Sequence, residues 1–132
     1  MPNAPTQIAI AVVERDGRFL VGVRPAGKPL AGYAEFPGGR AEADETPEQA
    51  AIRECFEETG VAVEIVDRYE DCQYHYAHDR VHLYFLACRT VDAGAAPRTP
   101  FRWVSRKELA ALKFPPANQS LLSQLLIEPT KR

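Results

Sequence analysis

At 132 residues, with 45% apolar and 26% charged side chains, the chain has the balance of one globular domain and not of a disordered segment. With a formal net charge of −2, nothing in the bulk electrostatics points to a surface built to wrap DNA or RNA, so any bound nucleotide must be held by a few local charges. The first residues lack signal-peptide features, no apolar run nears the ~20 residues of a membrane span, and Cys55, Cys72 and Cys88 show no C-x-x-C spacing, so a reduced, cytoplasmic protein is expected.

Gln7 to Val13 and Arg18 to Val23 read as strands, and the Asp16-Gly17 between them is a strong hairpin signal. Pro25 to Gly32 is rich in proline and glycine and reads as loop. Glu35-Phe36-Pro37-Gly38-Gly39 is expected to turn through conformations that glycine adopts easily. Thr46-Pro47-Glu48-Gln49 starts a helix, with Thr46 at the cap, Pro47 in the first turn and Gln49 three residues after the cap. Gly60 stops that helix after about 13 residues. Val61 to Val66, Arg68 to Tyr76 and Val81 to Arg89 read as strands, and Asp92 to Pro100 as a loop of small residues. Phe101 to Val104 is a short strand, and Ser105-x-x-Glu108 caps a helix through Leu112. Asn118 to Ile127 closes the chain as a helix with Leu121, Leu122, Leu125 and Leu126 inward. No internal repeat or long linker interrupts this order, so a single domain over 1–132 is expected. The order suggests the α/β class, a mixed sheet with helices on both faces.

The chemistry concentrates in the first long helix. Glu54, Glu57 and Glu58 fall on one stripe about 100° wide, while Ala51, Ile52, Cys55, Phe56 and Thr59 form the opposite, apolar side. Like charges at this spacing repel, so the stripe calls for a cation. Mg²⁺, with Mn²⁺ as a substitute, is the natural occupant of an all-oxygen donor set. The bland alternative is a solvated acidic helix face.

The wider pattern from Gly39 to Val61 is G-x5-E-x7-R-E-U-x-E-E-x-G-U, with U a bulky aliphatic residue. It resembles the Nudix box, the signature of hydrolases acting on nucleoside diphosphates linked to another group. Cys55 departs from the pattern where an aliphatic residue is usual, a mild change for a small apolar side chain. The resemblance implies an α/β/α sandwich with the box as a loop-helix-loop. It also implies metal held by Glu54, Glu57, Glu58 and the Gly38 carbonyl. Arg53 is expected to orient a carboxylate, with Glu45 as its partner. Glu54 either binds metal or takes the proton of the attacking water, with Glu57 as the other candidate. In similar members a further glutamate lies in the loop before the residue matching Trp103. Here the only acid of that loop is Asp92, which looks out of register.

Outside the box the chain is similar to the MutT-type branch of nucleoside triphosphate pyrophosphohydrolases. The shared pieces are Arg24, Glu35-Phe36-Pro37-Gly38-Gly39, Asp79-Arg80 and Phe114-Pro115-Pro116-Ala117-Asn118. This implies a nucleotide site lined by Arg24, Phe36, Arg80 and Asn118, on a free nucleotide and not a nucleic acid polymer or a membrane. Phe36 offers a flat face to a base, and Asn118 can accept from a guanine N7 that oxidation at C8 has made a donor. Core packing for Phe36 and helix capping for Asn118 are the competing readings. The expected activity is Mg²⁺-dependent hydrolysis of a nucleoside triphosphate such as 8-oxo-dGTP to a monophosphate and pyrophosphate, by a monomer or small homo-oligomer. A pyrimidine triphosphate, ADP-ribose, or a binding module without turnover are the alternatives. His75, His78 and His82 lack a metal-binding pattern, and Trp103, Tyr84 and Phe85 read as sheet packing.

Overall fold

Asp16 and Gly17 both take positive φ, 53° and 75°, the backbone of the tight turn that suits two twisted antiparallel strands. They join β1 (Thr6–Arg15) to β2 (Arg18–Val23) in a computed structural model that describes residues 4–76, 79–92 and 94–126. There follow β3 (Ala34–Glu35), β4 (Gly38–Arg40), α1 (Pro47–Thr59), β5 (Val63–Arg68), β6 (Cys72–Tyr76), β7 (Asp79–Thr90) and β8 (Arg102–Ser105). The chain continues through α2 (Arg106–Ala111), a 3₁₀ turn at Pro116–Asn118 and α3 (Gln119–Leu125).

The strands form a mixed sheet ordered β3-β2-β1-β7-β5, in which β1 and β7 run parallel and the other pairs antiparallel. Side chains alternate across it, as the period of two requires. On β1, Ala9, Ala11 and Val13 join the core under α1, while Val12 joins the core that includes Leu109 of α2 and Leu121, Leu122 and Leu125 of α3. On β7, Leu86 and Cys88 enter the first core and Val81, Leu83 and Phe85 the second. One sheet between α1 and the α2–α3 layer is the expected α/β/α sandwich.

On the edge away from β7, long β1 serves two partners. Through Ile8, Ala9 and Ile10 it pairs with β4, and at Glu14 and Arg15 it pairs with β2. The sheet therefore forks along β1, and the fork is where the site is built.

Four expectations need correction. The Glu35–Gly39 segment runs from the end of β3 through Phe36 and Pro37 into β4, and neither Gly38 nor Gly39 is among the positive-φ residues. Glycine is needed there for approach: a Cβ on Gly38 would lie 2.4 Å from the Ala9 carbonyl oxygen. Arg68 ends β5 and does not open the next strand, because a bulge between Ile65 and Asp67 shifts the register and keeps β5 paired to β7. Phe56 is 53% exposed, since it sits about a quarter turn round the helix from buried Cys55. Leu126 follows the last turn of α3 and is 36% exposed. Ile127, like His78, lies outside the described residues.

Candidate active site

The loop before α1 and the helix itself are fixed by local sequence. Thr46 Oγ1 accepts from the Gln49 N–H at 3.1 Å and Gln49 Oε1 from the Thr46 N–H at 2.9 Å, closing a capping box. At the other end Gly60, at φ 78°, donates to the Phe56 carbonyl. These two stops fix the ends of α1, and burial of Ala50, Ala51, Cys55 and Thr59 fixes which face it turns to the sheet.

Arg53 is the hub of the acidic face. Its Nε and Nη2 donate to the two oxygens of Glu45 at 2.6 and 2.9 Å, a bidentate fork. Its Nη1 donates to Glu54 and to Glu57, each at 3.2 Å, and Nη2 reaches the Arg40 carbonyl. The guanidinium holds the Glu45 carboxyl down at about 2, helped by the Glu42 N–H, and Arg53 itself is pushed upward. With five donated bonds, Arg53 is tied into the site and is not a solvated surface charge.

Glu54 and Glu58 lie together over β4. The Glu54 carboxylate presses on Gly39, where a Cβ would stand 2.5 Å from Glu54 Cδ. Glu58 accepts the Gly38 N–H at 3.2 Å. Burial is the main cause that pushes the Glu58 carboxyl well above the usual range; the Gly38 N–H opposes this, and the neighbouring Glu54 adds to it. Among the described residues no three His, Cys, Asp or Glu side chains converge as a ready-made cage. Glu57 is turned to Arg53, while Glu54 and Glu58 form a crowded pair. Two neighbouring carboxylates, Glu54 partly buried and Glu58 exposed, are chemically suited to a hard divalent cation, which would reverse the upward shift at Glu58.

Two cavities share Arg24 in their linings. The first, about 220 Å³, has an apolar floor of Ile8 and Ile10 from β1 and Val81 and Leu83 from β7, with Arg24 and Asn118 as polar lining. The second, about 440 Å³, is lined by Arg24, Lys28, Glu35, Gly38, Glu58 and the Pro100–Phe101 segment. Arg24 is anchored by Nε to the Pro29 carbonyl at 2.9 Å and by Nη1 to Glu35 at 3.4 Å. Burial pushes the Glu35 carboxyl up, against the pull of Arg24 and Lys28.

The structure thus brings Arg53, Glu45, Glu54, Glu57 and Glu58 together and places Arg24 and Asn118 on one cavity. Asn118 makes no side-chain cap bond to α3, so the capping alternative does not describe it. Phe36 is corrected: it is 5% exposed, stacks on Phe114 at 4.9 Å between ring centroids, and belongs to the core. Arg80 is exposed at the start of β7 and is not among the residues lining either cavity. Ile8, Ile10, Val81 and Leu83 were not singled out as site residues, because alternation assigns them a face of the sheet without showing that the fork uncovers it. His82 pairs with Asp71 and stacks on Tyr84, and Phe85 is buried.

Comparison with known proteins agrees with this architecture. The family model described as NUDIX domain matches residues 8–124. The chain is 34% identical over 126 residues to the 8-oxo-dGTP diphosphatase of Haemophilus influenzae, covering 92% of each. It is 36% identical over 78 residues to the CTP pyrophosphohydrolase of Escherichia coli, covering 59% of this chain and 58% of that protein. The solution structure of the E. coli ORF135 protein superposes with a TM-score of 0.74 at 30% identity, over 89% of this chain and 86% of that one.

Proposed function

The chain belongs to the Nudix hydrolase family, and we propose that it hydrolyses a nucleoside triphosphate to a monophosphate and pyrophosphate, with an oxidised purine nucleotide such as 8-oxo-dGTP as substrate. The observation that carries this reading is the pair of cavities that share Arg24 in their linings. The apolar one suits a flat base, with the Asn118 amide to read its edge. The other sets cationic Arg24 and Lys28 beside Glu58 and Gly38, which suits a phosphate chain.

Nudix hydrolases use divalent cations, and in this reading the cation is Mg²⁺, replaceable by Mn²⁺. Glu54, Glu57, Glu58 and the Gly38 carbonyl would hold it. Bound there, it supplies charge neutralisation on the phosphates and a more acidic water. Arg53 bonds both Glu54 and Glu57 and is itself anchored by Glu45. Glu54 is the candidate to accept the proton of the attacking water.

The same reading treats residues 1–132 as one domain, acting in the cytoplasm on free nucleotides as a monomer or small homo-oligomer. Among the described residues no helix is long and apolar enough to cross a membrane. A second reading, a pyrimidine triphosphate, is favoured by the similarity to the CTP pyrophosphohydrolase.

A panel of 8-oxo-dGTP, dGTP, CTP and ADP-ribose with Mg²⁺, scored for product identity, tests these readings. Preferred release of 8-oxo-dGMP and pyrophosphate is expected. Preference for CTP would establish the second reading, preference for ADP-ribose would reject the triphosphate reading, and no turnover of any member would leave a binding module.

A further inference from the structure

Arg98 lies outside the carboxylate hub, yet it closes the C-terminal end of α1 from 38 positions further along the chain than Gly60. Its Nη1 donates to the Glu57 carbonyl at 2.8 Å, and its backbone N–H donates to the Thr59 carbonyl at 2.9 Å. The guanidinium also packs over Gly60, where a Cβ would be 3.3 Å from Nη2. A helix leaves its last four carbonyls without intrahelical partners, and Arg98 satisfies two of them. The last turn of α1 has no basic residue of its own, while Glu57 and Glu58 add negative charge at the end where the helix dipole is already negative. Arg98 brings a cation to that end.

The bonded turn matters for the site in two ways. It carries Glu57 and Glu58, so one peptide has its carbonyl fixed by Arg98 and its side chain fixed by Arg53. The Arg98 carbonyl in turn accepts the Phe101 N–H at 2.9 Å, which ties down the Pro100–Phe101 lining of the second cavity.

We propose that Arg98 is a positioning residue that clamps the loop before β8 onto the last turn of α1, fixing the Glu57–Glu58 turn and the adjoining cavity wall for cation and phosphate binding. This rests on the reading of that turn as the metal-holding one. A guanidinium near a cation repels it, so removal of charge alone would tighten metal binding, whereas loss of positioning weakens it. The two accounts predict opposite signs.

Titration of the full chain with Mn²⁺ alone, followed by electron paramagnetic resonance, reads the sign without turnover. Arg98→Ala is expected to raise the Mn²⁺ Kd at least ~5-fold, in the range of supporting residues around a metal site. Arg98→Lys, which keeps a cationic donor for the Glu57 carbonyl, should recover part of the loss. Unchanged or tighter Mn²⁺ binding in Arg98→Ala, with only a lower Tm, would reduce Arg98 to a helix cap and overturn the proposal. Should Arg98→Ala not fold, Arg98→Gln replaces it, and parental binding in that variant overturns the proposal equally. Absence of Mn²⁺ binding in the parent, or full binding in Glu58→Gln, would instead reject the metal-holding reading, and this inference with it.

Discussion

Gly39 and Glu54 occupy the same space: the Cβ that any other residue would place at 39 stands 2.5 Å from the Glu54 carboxyl carbon. The position demands glycine for the sake of one side chain, because the Gly39 backbone is not in the left-handed region. Gly38, one residue earlier, meets backbone, with Ile10 Cα 2.8 Å from its virtual Cβ.

The two glycines should therefore fail differently. Gly39→Ala can be relieved by rotating Glu54 away, so stability should change by less than about 1 kcal/mol while turnover falls at least ~10-fold. Gly38→Ala must move β1 and should cost about 3 kcal/mol. Urea denaturation alongside steady-state kinetics checks both. A fully active, parent-like Gly39→Ala would show that Glu54 need not stay where it lies.

That distinction marks how far the sequence alone could reach. The capping box at Thr46, the Gly60 stop and the Asp16-Gly17 hairpin are local devices, readable within a few residues, and the structure places them as expected. The box spacing gave the Arg53 hub because its partners lie on one loop and one helix. Phe36 was not decidable that way. Its ring direction depends on Phe114, 78 positions away, and nothing near it in sequence says core or cavity. Arg98 was equally silent, since its function depends on a helix end that only the folded chain brings to it.

Metal dependence follows from the crowded Glu54–Glu58 pair. Activity should vanish with a chelator and return with Mg²⁺ or Mn²⁺. Glu58→Gln should lower kcat at least ~100-fold, as for loss of a major electrostatic contributor. Near-normal turnover in that variant at saturating metal would remove Glu58 from the site.

The loop acid should be dispensable. Asp92 is exposed, and its carboxylate accepts the Gly94 N–H at 3.2 Å within its own turn. Asp92→Asn is expected to keep kcat within about threefold, while Glu54→Gln is far worse. The comparison of the two at saturating substrate decides it: a large defect at Asp92 would place that loop at the reaction.

A pH-dependent contribution to stability should come from Glu48 and Arg68, which form a bidentate pair at 2.7 and 3.0 Å between the first turn of α1 and the end of β5. The Arg68 guanidinium holds Glu48 below its ordinary value of 4.5. A depressed carboxylate stabilises the fold fully above 4.5, and the contribution is lost as pH falls through the lower folded value. The pair is partly solvated, so Glu48→Gln should cost only about 0.5–1 kcal/mol at pH 7. Thermal melts of parent and variant from pH 7 to pH 3 should converge toward the acid end. A gap that stays constant would mean that Glu48 acts through packing and not through charge.

Base selectivity is the sharpest test of the substrate. A site that hydrogen-bonds one edge of a base rejects the wrong base strongly, because buried polar groups are then left unpaired. Asn118 lies on the apolar cavity with Arg24, and its side chain makes no cap bond, so truncating it should not unravel α3. Asn118→Ala should raise KM for 8-oxo-dGTP at least ~10-fold, about the worth of one hydrogen bond in a desolvated site. The effect on dGTP should be smaller, since its N7 remains an acceptor and gains nothing from the amide oxygen. Selectivity would then collapse while the Mn²⁺ titration stays parental. A folded Asn118→Ala that keeps its full preference for the oxidised nucleotide would remove Asn118 from base reading and leave the hydrolase chemistry untouched.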